Sequence, residues 1–314
     1  MKIYMAPMEG ITDYIYRNTY RKYYGGVDKY FTPFLSPTSD KSFTTREKRN
    51  FDPALNDVKT VVPQLITCHA DHFIWGMEQI AKNGFGEVNL NLGCPSGTVV
   101  AKKKGSGFLA YPLELDEFLY EVFNAKEKLG IEVSIKTRLG KNDPDEFYHL
   151  LEIFNKYPIY ELTIHPRIQS DFYKYEVKTS YFDYAYKNSK NPLVFNGDIT
   201  TREDIENTSS KYPSINALMI GRGFLMCPGF NMGESFDLDK FKSFHDDLFG
   251  QYEAELSGET PLLWRMKELW AFWGESFDQP KKIKALRKCQ RASVYKDIVS
   301  EMLIAASVSY KNQS

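Results

Sequence analysis

Short apolar runs ending in polar or glycine-rich turns recur along the chain, separated by longer segments with the periodicity of amphipathic helices. Eight such runs stand at 3–7, 29–34, 60–66, 87–91, 133–138, 161–165, 193–196 and 217–220. Between them the pattern predicts helices over 70–83 and 113–129, the second closing on Gly130 as its C-cap. Strand and helix in regular alternation imply parallel strands. Eight of them predict an α/β fold, a closed (β/α)8 TIM barrel, with an open doubly wound sheet as the alternative. Past the eighth run, 262–273 and 281–303 read as amphipathic helices, and 225–233 reads as a connection. The chain therefore divides into a barrel over 1–240 and a small C-terminal helical domain over 241–314, with the boundary near Phe241.

Seven of the runs end in residues suited to chemistry. They are Met8 and Glu9, Gln64, Asn91 with Cys94, Lys136 with Arg138, His165 with Arg167, Asn196-Gly197-Asp198, and Gly221-Arg222-Gly223. In a parallel barrel the C-terminal strand ends form one face, where active sites are built. Period two places Ser134, Lys136 and Arg138 on one side of their strand, so Lys136 points into the mouth. There it could stabilise an anionic ring, unless it is paired with a carboxylate elsewhere. The turns after the last two runs occupy the usual phosphate position of such barrels, and Arg222 adds a forked cation. Cys94 stands on a rigid Gly-Cys-Pro corner, either as a reactive thiol or as a small buried hydrophobe.

Composition narrows the partners. With 42% hydrophobic and 26% charged residues the chain is an ordinary globular protein. A net charge of −1 means that a polyanion would have to be met by a local basic patch. Cys68, Cys94, Cys227 and Cys289 form no C-x-x-C, so neither a metal site nor a disulfide framework is expected and a reducing cytoplasm fits best. No run has the length of a membrane span or a signal peptide. Gly105-Ser106-Gly107-Phe108-Leu109-Ala110 matches G-x-G-x-x-A, but Lys102, Lys103 and Lys104 separate it from the preceding strand, which argues against a Rossmann site. A nicotinamide cofactor would have to bind transiently over another cofactor.

The segments Ala6-Pro7-Met8-Glu9-Gly10, Asn91-Leu92-Gly93-Cys94-Pro95, Lys136-Thr137-Arg138-Leu139-Gly140, His165-Pro166-Arg167, Asn196-Gly197-Asp198 and Met219-Ile220-Gly221-Arg222-Gly223 together resemble the tRNA-dihydrouridine synthases. The resemblance runs in order from residue 1 to about 230 and is looser in the tail. It implies bound FMN, with NADPH as transient reductant, and reduction of the C5–C6 double bond of uridines in tRNA. It further implies that Pro7, Met8 and Glu9 present backbone to the isoalloxazine and that Gln64 and Lys136 bind its polar edge. His165 would lie near ring and phosphate, and Asn196, Gly197, Asp198, Gly221 and Arg222 would cradle phosphate and ribityl chain. Cys94 would give a proton to uracil C5 opposite hydride arriving at C6, with Asn91 positioning the base.

A uridine in folded tRNA must leave its stack to reach such a pocket, so a backbone grip is expected beside it. Lys102, Lys103 and Lys104 beyond Cys94, and Lys281, Lys282, Lys284, Arg287, Lys288 and Arg291 in the tail, are the candidates, with Lys284, Arg287 and Lys288 favoured, and Arg138 and Arg167 are expected to contact the substrate. Trp264, Trp270 and Trp273 are available for stacking or for core packing. The sequence departs from the family at Thr32-Pro33, at Ile66-Thr67 after Gln64, and at Pro166 after His165. An FMN barrel reducing a free dihydroorotate or enoate, and a non-catalytic flavin- or RNA-binding module, are the rival readings. No obligate protein partner and no membrane are implied.

Overall fold

The computed structural model describes residues 1–233 and 236–311. Nine parallel strands are hydrogen-bonded in a single sheet: β1 (Lys2–Met5), β2 (Lys29–Phe31), β3 (Val61–Val62), β4 (Gln64–Leu65), β5 (Glu87–Leu92), β6 (Glu132–Gly140), β7 (Leu162–Ile168), β8 (Leu193–Asn196) and β9 (Ala217–Ile220). Their order is β3-β2-β1-β9-β8-β7-β6-β5-β4. The two outermost strands, β3 and β4, are separated in sequence by Pro63 alone, so the sheet closes into a barrel of eight staves. Pro63 has no N–H to give to a ladder, which is why the expected third run is split. Its carbonyl still accepts from Asn89 at 2.9 Å, and the next N–H, from Gln64, turns to the Thr32 hydroxyl at 3.0 Å. Thr32 thereby helps to seal the barrel.

Helices Ala70–Lys82 and Pro112–Leu129 match the periodicity, and Gly130 ends the second in a left-handed conformation with φ 64°. The N-terminal end of the barrel is closed by ion pairs: Lys29 reaches Glu87 at 2.6 Å and Glu161 at 2.8 Å, while the Tyr4 hydroxyl donates to Glu161 at 2.7 Å. The open cleft lies at the opposite end.

The C-terminal helices share one continuous apolar core with the barrel. Helix Leu238–Glu255 already begins before Phe241 and packs along Tyr14–Tyr23, with the Phe244 ring against Tyr16, Tyr20, Tyr23 and Tyr24. Helix Glu259–Trp273 follows. The single helix expected over 281–303 is two, Pro280–Lys288 and Ala292–Lys311. The break falls at Cys289, whose extended backbone leaves its carbonyl to the Lys267 ammonium. No helix among the described residues is long and apolar enough to cross a membrane.

Candidate active site

A cleft crosses the C-terminal face of the barrel in two adjoining halves. One is lined by Gln64, Asn91, Cys94, Arg138 and Glu9, the other by Asn196, Gly197, Asp198, Gly221 and Arg222. Pro7, Met8, Lys136, His165 and Tyr173 belong to both halves and make them one space. Of the strand-end residues singled out in the sequence, two do not line it. Arg167 lies directly behind His165, and Gly223 packs beneath the Phe230 ring.

Cys94 owes its position to Asn91 and Gly105. Asn91 Oδ1 accepts the backbone N–H groups of Gly93 (3.0 Å) and Cys94 (2.9 Å), while its Nδ2 donates to Gln64 Oε1 at 2.7 Å. Gln64 in turn donates to Asn89, and Asn89 to Ser134. The Asn91 amide, expected to position a base, is thus committed largely to the corner that carries the thiol. Gly105, with φ 58°, sits so close that a Cβ there would stand 2.7 Å from the Cys94 carbonyl oxygen. The first glycine of the discounted G-x-G segment therefore seats Cys94 rather than a dinucleotide. Burial pushes the Cys94 thiol above its ordinary value, against the opposing pull of the Ser96 N–H and of Arg138 and Lys136. It is a protonated thiol at neutral pH.

The Lys136 ammonium carries no hydrogen bond or ion pair among the described residues, although the residue lines both halves of the cleft. Burial, with Arg138 as a second cause, brings its ammonium down to about 7. Among the described residues no carboxylate pairs with it. His165 is buried, and desolvation together with Arg138, Lys136, Arg167 and Arg222 holds it well below the ordinary imidazole value. Arg167 donates to its Nε2 at 2.9 Å, so the neutral ring carries its proton on Nδ1. The cleft lining sets Lys136, Arg138 and Arg222 against the carboxyl groups of Glu9 and Asp198, an excess of positive charge that an anionic ligand would relieve.

Whether an FMN-like group fits can be judged from these donors. An unpaired desolvated cation beside a glycine-walled turn suits an anionic ring edge and a phosphate. At Gly221 an added Cβ would meet Met8 Sδ at 3.3 Å and Ala6 Cβ at 3.5 Å, and no side chain caps the helical turn Arg222–Met226 that starts there. These residues fit the group.

Comparison with known proteins shows the family. The model of the dihydrouridine synthase (Dus) family matches residues 4–302. The chain belongs to the dihydrouridine synthase family. It is 30% identical over 266 residues to a probable tRNA-dihydrouridine synthase of Staphylococcus aureus (strain COL), covering 80% of this chain and 78% of that one. It is 29% identical over 265 residues to probable tRNA-dihydrouridine synthase 2 of Bacillus subtilis (strain 168), covering 80% and 79%. Among solved structures it resembles a morphinone reductase mutant in complex with tetrahydroNAD, with a TM-score of 0.53, 10% identity, and coverage of 76% of this chain and 90% of the other. That likeness is one of fold.

This dihydrouridine synthase family member uses several of the expected binding residues differently. Arg138 is buried and spends its guanidinium on backbone carbonyls, of Gly93 (2.9 Å), Ile168 (2.9 Å) and Phe172 (3.0 Å). Arg167 is also buried, donating to the Tyr175 carbonyl at 2.6 Å and to Asp198 at 2.5 Å. Neither guanidinium is free for an RNA phosphate. Asp198 holds Arg167 through one oxygen and Arg222 through the other, at 2.7 Å, so its carboxylate orients cations instead of meeting a phosphate. Met8 has its backbone N–H on Thr12 and its carbonyl under Ile11 and Thr12, leaving its side chain rather than its backbone to face the cleft. Asn196 donates to the Met219 carbonyl and ties β8 to β9.

The peripheral cations divide. Lys102 is exposed, Lys103 pairs with Glu114 at 3.3 Å over the Tyr111 ring, and Lys104 donates to Ser36 at 2.9 Å. Lys284, Arg287 and Lys288 are exposed on Pro280–Lys288, whose Ile283 and Leu286 face the core. Trp270 and Trp273 are core residues, whereas Trp264 is 73% exposed. Sequence reasoning missed Phe34 and Tyr173, which both line the cleft. Each lies on a loop beyond a strand end, where no periodicity marks which side chain turns inward.

Proposed function

We propose that this chain reduces the C5–C6 double bond of uridine in tRNA, using bound FMN and NADPH as the reductant, with Cys94 as the proton donor to C5. A tRNA substrate places this work in the cytoplasm. When bound, the flavin would supply the hydride that adds to uracil C6, which carbonyl conjugation makes electrophilic. Lys136, Gln64 and His165 would hold its polar edge, and Gly197, Gly221 and Arg222 its phosphate end. Lys136 offers the positive charge that a reduced ring requires, and contact with that charge would draw the ammonium back up from about 7.

Hydride addition at C6 leaves electron density at C5, and the Cys94 thiol supplies the proton there. Burial keeps the thiol in its acid form, which a proton donor must have, whereas a nucleophilic thiolate would need a lowered value. Asn91 keeps the thiol on a fixed corner while Gly105 supports it from behind. The observation that carries the proposal is this pairing in one cleft of a protonated thiol with an unpartnered, half-buried cation.

The test is formation of dihydrouridine in an unmodified tRNA transcript by the FMN-loaded chain with NADPH, read by mass spectrometry. A product mass increase of two hydrogens on a uridine is expected. A protein that binds no FMN, or one that turns over a free enone but leaves tRNA unchanged, would overturn it.

A further inference from the structure

The loop after β7 carries three exposed aromatic side chains, Phe172 (41% exposed), Tyr173 (47%) and Tyr175 (61%), with exposed Lys174 among them. Tyr173 lines both halves of the site, and its ring lies 5.4 Å from the Arg138 guanidinium and 5.0 Å from that of Arg222. Among the described residues, neither the Phe172 nor the Tyr175 ring packs on another aromatic ring. A loop left to itself would turn such rings inward or shed them.

This loop is instead held open at a cost. Phe172 adopts φ 48° and ψ −105°, a conformation unfavourable for any residue but glycine. Arg138 donates to the Phe172 carbonyl and Arg167 to the Tyr175 carbonyl, so both buried guanidinium groups clamp the segment that carries the exposed rings. Asp171 completes the clamp, accepting the Ile168 N–H at 3.0 Å and the Lys178 ammonium at 2.5 Å. Val177 closes the loop against Gly197, where an added Cβ would stand 2.6 Å from its Cγ1. Two buried charges and a strained backbone thus fix apolar rings in water beside a reactive cleft.

Resting on the tRNA reading above, we infer that Phe172 and Tyr175 are stacking residues for the unpaired nucleotides flanking the target uridine, with Lys174 taking an adjacent phosphate. The chemistry fits single-stranded RNA. Splayed bases stack on aromatic faces without regard to their identity, and a cation between the rings matches the backbone charge between successive bases. A small free substrate buried in the cleft would need neither the outward rings nor the lysine. Phe172 and Tyr175 flank in sequence the one tyrosine of this loop that lines the cleft, Tyr173.

The experiment uses the FMN-loaded full chain and an unmodified tRNA transcript, with affinity measured by filter binding. Phe172→Ala and Tyr175→Ala should each weaken binding by about 5- to 100-fold, the range expected for losing one stacked base. Flavin content should equal that of the wild type. Phe172→Tyr and Tyr175→Phe should bind as the wild type does, because they keep the ring. Phe172→Gly should melt at a higher temperature, since glycine tolerates the positive φ, and yet bind tRNA as weakly as Phe172→Ala. Alanine variants that bind tRNA normally, or ring-keeping variants that lose as much as alanine, would overturn the inference and leave the proposed reaction standing. A wild-type chain that binds no tRNA would remove the reaction proposal as well.

Discussion

The backbone N–H of Cys94 donates to Asn91 Oδ1 at 2.9 Å, so a buried amide three residues upstream fixes where the thiol stands. Removing it should loosen the corner without touching the thiol. Asn91→Ala strands two N–H groups and Gln64 Oε1, which costs about 1–3 kcal/mol for each buried group left unpaired. A lower melting temperature and faster iodoacetamide labelling of Cys94 are expected. Asn91→Asp keeps the acceptor for both N–H groups and should label more slowly than Asn91→Ala; equal labelling of the two would show that the amide does not hold the corner.

Cys94→Ala should keep flavin and tRNA binding and lose product formation by about 10²–10⁴-fold, the usual contribution of a positioned proton donor. Burial raises the thiol above its usual 9.0, so the acid form persists through neutral pH and activity should fall only as pH rises beyond that value. Single-turnover rates from neutral pH upward test this. An activity that instead rises with pH in step with thiolate formation would identify a nucleophile.

Much of this geometry was legible in the sequence, and the parts that were not share a cause. The runs at 193–196 and 217–220 coincide with β8 and β9, because a buried parallel strand is a short apolar segment bounded by turns. The cleft was legible for a related reason: the C-terminal strand ends share one face, and most of the polar residues there line the mouth. Hydrogen-bond destinations were hidden. Arg138 and Arg167 look like RNA contacts until their donors are traced to the carbonyls of Phe172 and Tyr175, residues 34 and 8 positions away. Tyr173 was hidden too, since nothing local distinguishes the tyrosine that lines the cleft from Tyr175, which does not. The segment 281–303 reads as one helix because nothing local announces Lys267, whose ammonium satisfies the carbonyl freed at Cys289.

Lys136 makes the ligand-free chain pH-dependent. Its folded value of about 7 lies below the ordinary 10.5, so the unfolded chain binds more protons across that window and stability rises with pH through it. Below that folded value the buried ammonium is charged in both states and its full penalty is present. His165 acts in the same direction at lower pH: it is neutral when folded and charges on unfolding below its ordinary 6.5. Lys136→Met should therefore raise the melting temperature of the flavin-free chain in mildly acidic buffer and reduce its pH dependence, while lowering FMN affinity at least about tenfold. Scanning calorimetry and flavin titration measure both; a variant less stable than the wild type in that buffer would show that the ammonium has a protein partner.

Arg138→Lys is a sharper test than Arg138→Ala. One ammonium cannot reach three carbonyls that diverge around a planar guanidinium, so the conservative change should destabilise nearly as much as alanine, by about 2–5 kcal/mol. Its tRNA affinity should change equally at every salt concentration, because no phosphate contact is lost. Denaturant unfolding gives the first quantity and binding at several ionic strengths the second. A reduced salt slope would place Arg138 on the RNA backbone.

Lys284, Arg287 and Lys288 present the opposite case. They are exposed on the outer side of Pro280–Lys288, and none of the three has an ion pair among the described residues, whereas neighbouring Lys282 faces Glu301 at 3.3 Å. Reversing all three to glutamate should change stability by no more than about 0.5 kcal/mol per site, as surface changes usually do. If they neutralise phosphates, tRNA binding weakens and the slope of log affinity against log salt becomes shallower by roughly 0.7–0.9 per lost contact. Filter binding between low and physiological salt resolves that difference. An unchanged slope would make this face a solvated surface and confine the RNA grip to the barrel mouth.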